Sequence, residues 1–139
     1  MYHAEISDFE TVKEIFYLHK KWFPHIRTDY MKRMIAKKNL ILENDVVITY
    51  NFYKRKQKIG DVQAYKDDCI LHQIAAKGKG TASDVLQNFF KYVNRRVYLS
   101  VRSDNDIAKN FYLRNNMKLI GKTSWAKGTL PGDVYVYNG

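Results

Sequence analysis

The chain has 139 residues, 45% of them hydrophobic and 27% charged, the composition of a soluble globular protein and enough for one domain over residues 1–139. Lys and Arg total 24 against 14 Asp and Glu, a formal net charge of +10 that points toward an anionic ligand or partner. The single cysteine, Cys69, allows no internal disulfide and implies a reducing, cytoplasmic setting; no apolar stretch nears the ~20 residues of a membrane span, and Met1-Tyr2-His3-Ala4-Glu5 is neither a basic leader nor a transit peptide.

No repeat, low-complexity tract or linker interrupts the chain. Residues 2–6 alternate and predict a short strand. Ser7-x-x-Glu10 is a capping box, and the helix it opens carries Phe9, Val12, Ile15, Phe16 and His19 near helical spacing before Pro24 stops it. A second helix is expected at about 29–38, with Met31, Met34 and Ile35 on one side. Residues 40–43 and 46–53 are rich in strand formers and are joined by Asn44-Asp45, a hairpin signal. Gly60 marks a turn. A strand over 68–76 then leads into a helix over 81–94, which is followed by a strand over 96–101 and a helix over 104–115. Strands over 117–125 and 133–137 close the chain, with Leu130-Pro131-Gly132 as the turn between them.

The junction between the 68–76 strand and the helix after it reads Lys77-Gly78-Lys79-Gly80-Thr81-Ala82-Ser83-Asp84. Two glycines there let the backbone approach an anion closely. The open N–H groups and positive dipole end of the helix favour that anion, and Lys77 and Lys79 add cations. A Walker A loop is excluded: Gly80, not Ser or Thr, follows Lys79, and Gln73 stands where the first Gly belongs. A Rossmann fingerprint is excluded because Ser83 holds the third Gly position and no early βαβ unit surrounds it. Basic-Gly-x-Gly-x-Ala remains, and by itself it also describes a plain solvated turn.

A second segment decides between these. Asn105-Asp106-Ile107-Ala108-Lys109-Asn110-Phe111-Tyr112 is followed by Leu113-Arg114-Asn115-Asn116-Met117 and then Gly121. Together, Lys77-Gly78-Lys79-Gly80-Thr81-Ala82 and Asn105-x-x-Ala108-x-x-Phe111-Tyr112 resemble the pyrophosphate loop and the tyrosine-bearing helix of the GCN5-related N-acetyltransferases (GNAT). The resemblance covers roughly residues 1–124, and the tail fits as a final strand. Asn116-Met117 stands where that family has Gly-Phe; Asn tolerates the left-handed helix end and Met fills an apolar slot. Residues 74–76 run directly into Lys77, a connection about three residues shorter than the family's.

The resemblance implies an α/β (mixed α+β) fold with a central, mostly antiparallel mixed sheet flanked by helices. It also implies an acetyl-CoA-dependent N-acyltransferase, in which the amine of an acceptor attacks the thioester directly. Gln73, Ile74, Ala75 and Ala76 would pair with the pantetheine arm. Lys77, Gly78, Lys79, Gly80, Thr81 and Ala82 would hold the pyrophosphate, with Asn105, Ala108, Lys109 and Tyr112 on the following helix completing the cofactor site. Tyr112 would donate to the departing sulfur. Leu71-His72-x-Ile74-Ala75 resembles the strand of the arylalkylamine acetyltransferases, which makes His72 a candidate proton acceptor. A strand histidine is also often a satisfied core residue. Asp67 and Asp68 are alternative bases or simply a charged turn. His3, His19 and His25 show no metal-ligand spacing, and no metal is expected.

Residues 71–139 hold 11 basic and 4 acidic residues, so the half that bears the motifs is also the more electropositive half. Part of this charge suits the phosphates of CoA. The rest fits either a solvated surface or weak nucleic-acid binding, through a base-modifying enzyme of the same fold or a non-catalytic basic module. The acceptor is expected to be a small-molecule or peptide amine, its loops lying in 17–35 and 122–133. No membrane partner is expected, and a homodimer is compatible with the composition.

Overall fold

The computed structural model describes residues 1–138. Six strands are hydrogen-bonded in the order β1-β2-β5-β6-β8-β7, and a separate two-stranded hairpin is formed by β3 and β4. The β1–β2, β6–β8 and β7–β8 pairs are antiparallel and β5–β6 is parallel, so the sheet is mixed and mostly antiparallel, as expected. By contact the chain falls into two compact units, residues 1–50 with 72–89 and residues 51–71 with 90–139.

The first unit begins with a 3-10 turn, Ile6–Asp8, followed by helices α1 (Phe9–Leu18) and α2 (Thr28–Ala36). Val12, Ile15 and Phe16 of α1 and Met31, Met34 and Ile35 of α2 recur at three- and four-residue spacing. They are buried together with Ala4, Leu40, Val47 and Ala75. Strands β1 (Leu40–Glu43) and β2 (Val46–Phe52) are joined at Asn44 and Asp45, whose φ values of 50° and 60° give the left-handed pair that a two-residue hairpin needs. The unit also holds the second half of β5 (Cys69–Ala76) and the start of α3 (Ala82–Val93).

Two expectations about its start are corrected. Residues 2–6 form one bridge, His3 to Ile41, rather than a strand, because the chain turns into the 3-10 segment at Ile6. The Ser7–Glu10 capping box does not form, since Ser7 already lies inside that turn. The Asp8 carboxylate instead accepts the Glu5 N–H at 2.9 Å and the Tyr2 hydroxyl at 2.6 Å.

The second unit contains the hairpin of β3 (Gln57–Ile59) and β4 (Val62–Ala64), strands β6 (Val97–Arg102), β7 (Lys118–Trp125) and β8 (Leu130–Tyr137), and helix α4 (Asp106–Arg114). Its core joins Ala64, Ile70, Tyr98, Val134 and Val136, and Phe90 stacks on Tyr137 at 3.9 Å between ring centroids. The hairpin β3–β4 is not visible in the sequence, since each of its strands is only three residues long, too short for alternation to register. The turn before β8 is also corrected: Ala126, Lys127 and Gly128 carry the positive φ values, while Pro131 and Gly132 lie within β8 opposite Ser124 and Thr123. Proline is tolerated there because the ladder to β6 ends at Gly132↔Arg102, so no partner of that ladder needs a Pro131 N–H. Asn116 adopts φ 68° at the end of α4 and Met117 is buried, as expected for a helix stop followed by an apolar anchor. Gly121 sits at a bulge of β7, where a Cβ would run into Asp61 and Val62.

Candidate functional site

Strand β5 makes its parallel ladder to β6 through Cys69↔Val97 and Ile70↔Tyr98. Its later residues, 73–76, make their contacts inside the first unit. The Gln73 N–H donates to Thr49 Oγ1 at 3.1 Å, Tyr30 donates its hydroxyl to Gln73 Oε1 at 2.9 Å, and Thr49 donates to the same oxygen. Ile74 is half-buried and Ala75 is in the core. The Ala76 carbonyl accepts a hydrogen bond from His19 Nε2 at 2.7 Å, which fixes that imidazole with its proton on Nε2.

The loop after Ala76 is braced from two sides. The Lys77 N–H donates to the Asp45 carbonyl at 2.9 Å and Thr81 Oγ1 donates to the Asn44 carbonyl at 3.2 Å, so the β1–β2 turn holds both ends. From α1, Glu14 accepts Lys77 Nζ at 2.8 Å. Between the braces, Gly78 and Gly80 adopt φ of 99° and 92°, which L side chains resist, and a Cβ at either would meet nothing within 4 Å. The glycines therefore open one side of the loop at the N-terminus of α3, whose first-turn N–H groups precede the intrahelical ladder that begins with Val85 N–H to Thr81 O at 3.1 Å. Lys79 is exposed. The bracing residues His19, Glu14, Asn44 and Asp45 are not identifiable from sequence, since each acts across 30 or more positions with no local pattern to mark it.

His72 is exposed on β5, next to Leu71 in the core. Partial loss of water around the ring, and then the Lys37 charge, lower its pKa from the ordinary imidazole value, and this favours the neutral form. Asp68 is buried, accepts the Tyr65 N–H at 2.9 Å and pairs with Arg96 at 3.4 Å, and Asp67 has φ 72°. These contacts make the pair a structured turn.

In the second unit, Asn105 caps α4, its Oδ1 accepting the Ala108 N–H at 3.2 Å. Ala108 is half-buried. Tyr112 is buried, its ring 5.6 Å from that of Phe111 and 5.9 Å from that of Tyr135. Burial, and then Tyr135, push its pKa well above the ordinary tyrosine value, so the hydroxyl stays protonated. Lys109 Nζ lies 3.1 Å from Asp133 Oδ2 and 3.1 Å from the Ser103 carbonyl, so its ammonium is engaged by the protein itself. Lys122 and Ser103 also reach Asp133, at 2.7 and 2.8 Å. Loss of water works to raise the Asp133 pKa, but the hydrogen bonds from Lys122, Ser103 and Lys109 outweigh it and hold the carboxyl at about 2. Among the described residues no cluster of three or more His, Cys, Asp or Glu could hold a metal ion, and no helix is long and apolar enough to cross a membrane.

No protein-family model matches the sequence, and a search of curated proteins finds no match. Solved structures do match. A GNAT-family acetyltransferase from Bacillus cereus superposes with a TM-score of 0.76 at 16% identity, over 99% of this chain and 94% of that one. Ard1 from Thermoplasma volcanium gives 0.76 at 14%, over 99% and 95%. Arabidopsis thaliana NAA60, solved in complex with acetyl-CoA, gives 0.72 at 14%, over 99% and 98%. The chain has the GNAT acetyltransferase fold.

Proposed function

We propose that the protein is an N-acetyltransferase that uses acetyl-CoA and acetylates a primary amine. The observation that carries this reading is the braced loop at the start of α3, with two left-handed glycines and an open face. Its support is twofold: the loop sequence and the α4 sequence resemble those of one enzyme family, and the fold is that family's fold.

The residues present fit the cofactor. The backbone of residues 78–82 and the α3 N-terminus would hold the pyrophosphate, with Lys79 and Lys77 as nearby cations and the backbone of 73–76 available to the pantetheine arm. When bound, acetyl-CoA supplies an activated acyl group. In the transfer, the C–N bond to the acceptor forms and the C–S bond breaks. The amine loses a proton and the departing sulfur takes one up. We assign the proton donor to Tyr112, whose hydroxyl burial keeps protonated, and the proton acceptor to His72, whose lowered pKa favours the neutral imidazole.

Calorimetry with acetyl-CoA tests the site. Gly80→Val places a branched side chain on the open face and opposes the φ of 92°, so binding should weaken by about 1–3 kcal/mol, the scale of lost hydrogen bonds to a charged group. Circular dichroism checks that the variant is folded. No heat from the unsubstituted protein with acetyl-CoA overturns the reading. Thiol release across amino acids, polyamines, peptides and DNA then identifies the acceptor.

A second reading is favoured by one feature of the second unit. The Arg95 guanidinium lies 5.3 Å from the Phe52 ring centre and Arg96 lies 6.0 Å from that of Tyr65, both aromatics being a little under half exposed, with Lys54, Arg55, Lys56 and Lys66 also exposed nearby in sequence. Exposed aromatics among cations suit weak, sequence-independent nucleic-acid binding, as a base-modifying enzyme or a basic module would need. Fluorescence anisotropy with single-stranded DNA should show binding at low salt that fades at moderate salt. No binding at low salt removes this reading.

A further inference from the structure

The connection between α1 and α2, with α2 itself, walls a cavity of about 470 Å³ in the first unit, and Gln73 of β5 reaches it. That volume lies in the ~300–1,000 Å³ range of small-molecule sites. Trp22, Phe23 and Ile26 give it an apolar, half-buried wall. Its polar side chains are His25, Arg27, Tyr30, Arg33 and Gln73, none of them acidic. Gln73 Oε1 is taken by the Tyr30 and Thr49 hydroxyls, and Thr49 Oγ1 is itself occupied by the Gln73 N–H, so the Gln73 amide presents its NH2 group as a donor. Arg33, one turn along α2 from Tyr30, lies 5.5 Å from that ring's centre and makes no ion pair among the described residues. The other lining cation, Arg27, is committed to Asp29 at 3.2 Å. No carboxylate lines the cavity.

A pocket with an apolar wall, a guanidinium and an amide donor, and no acidic group, does not suit a polycation. It suits a molecule that brings its own anion. We propose that this cavity is the acceptor site and that it selects amines bearing a carboxylate beside an apolar side chain, of amino-acid or short-peptide size, with Arg33 taking the carboxylate and Gln73 the adjacent carbonyl or carboxylate oxygen. This rests on the acetyltransferase reading above. A planar guanidinium pairs with a carboxylate through two parallel hydrogen bonds, and the Tyr30 ring, 5.5 Å from the Arg33 guanidinium, attracts that cation to the cavity wall. The same cation disfavours the ammonium form of the neighbouring amine and leaves more of it as the free nucleophile.

The probes are L-phenylalanine, phenethylamine, which differs only in lacking the carboxylate, and spermidine. Binding is read without cofactor, by quenching of Trp22 fluorescence in a Trp125→Phe background, and transfer is read separately as thiol release from acetyl-CoA. Phenylalanine should bind about 10-fold or more tightly than phenethylamine, as one charged hydrogen-bonded contact allows. Arg33→Gln should erase that preference by weakening phenylalanine, while phenethylamine binds no more weakly than before. Because Arg33 is exposed, the variant should fold normally. Equal binding of the first two, tighter binding of spermidine, or binding of none of the three overturns the proposal. If the phenylalanine preference and its loss in Arg33→Gln hold but no thiol is released on any acceptor, the acetyltransferase reading falls and the pocket's selectivity stands. If thiol is released equally with phenethylamine and phenylalanine, the selectivity falls and the enzyme reading stands.

Discussion

In the second unit Lys109 and Lys122 direct their ammonium groups at one carboxylate, 3.1 and 2.7 Å from Asp133, which is 1% exposed. In the first unit Lys77 has one half-exposed partner, Glu14, and Lys79 makes no ion pair among the described residues. These lysines look alike in the sequence, and all four fall in its electropositive half. Only the loop lysines keep charge that a ligand could use. The other two are spent on holding α4 and β7 to β8. Net charge along a chain therefore overstates what remains for a ligand, and burial of the counter-charge decides which cations those are.

Tyr112, on the helix that Lys109 anchors, gives the largest effect by which to sharpen the comparison. Tyr112→Phe keeps the packing against Phe111 and Tyr135 and removes only the hydroxyl. The turnover number should fall by about 10- to 1,000-fold with acetyl-CoA affinity and melting temperature little changed, the usual reach of one acid–base group. Full turnover in the variant would make Tyr112 packing alone, and the second unit purely a scaffold.

The next effect is on stability. Asp133→Asn removes the charge on which two lysines converge. It should cost about 2–3 kcal/mol, below the usual range for a broken buried pair because Lys122 is largely exposed and can return to water. Urea denaturation measures this, and acetyl-CoA affinity should stay the same. The pH dependence has a definite sign. A carboxyl held at about 2 when folded, against 3.8 otherwise, adds stability that is fully present above pH 4 and is lost as pH falls through 2. After discounting for the exposed lysines the contribution is about 1–2 kcal/mol. The stability gap between the unsubstituted protein and Asp133→Asn should therefore narrow by about 1–2 kcal/mol as pH falls from 4 to below 2; a constant gap would mean that the carboxylate acts through shape rather than charge.

The smallest effect lies at the loop. Glu14→Gln releases Lys77 from its only ion pair among the described residues. Acetyl-CoA should then bind about two- to threefold more tightly at low salt, with the gain gone at high salt, because both side chains are exposed and screened. Weaker binding would show that Glu14 positions Lys77 rather than competing for it.

Much of the loop was legible because its requirements are local. Gly78 and Gly80 announce left-handed backbone, Asn44-Asp45 announces a two-residue hairpin, and Met31, Met34 and Ile35 mark one face of a helix. Each rule acts within four residues. What stayed hidden acts over distance or without periodicity. Asp133 meets Ser103 and Lys109 across 30 and 24 positions, and His19 meets Ala76 across 57. The strands β3 and β4 are too short for alternation to show, and Leu130-Pro131-Gly132 carries turn residues that the pairing with β7 holds extended.

Each unit is assembled from two stretches of chain, 1–50 with 72–89 and 51–71 with 90–139, so β2, β5 and α3 each begin in one unit and end in the other. During synthesis the first unit has all its residues once position 89 has left the ribosome. The second must wait for β8, which lies between β6 and β7 in the sheet although it is made last. Until then its strands β6 and β7 lack their shared partner, and unpaired edges of that kind invite association with other chains. A chain ending before residue 130 would thus hold every residue of the first unit but lack the strand that joins β6 to β7 in the second.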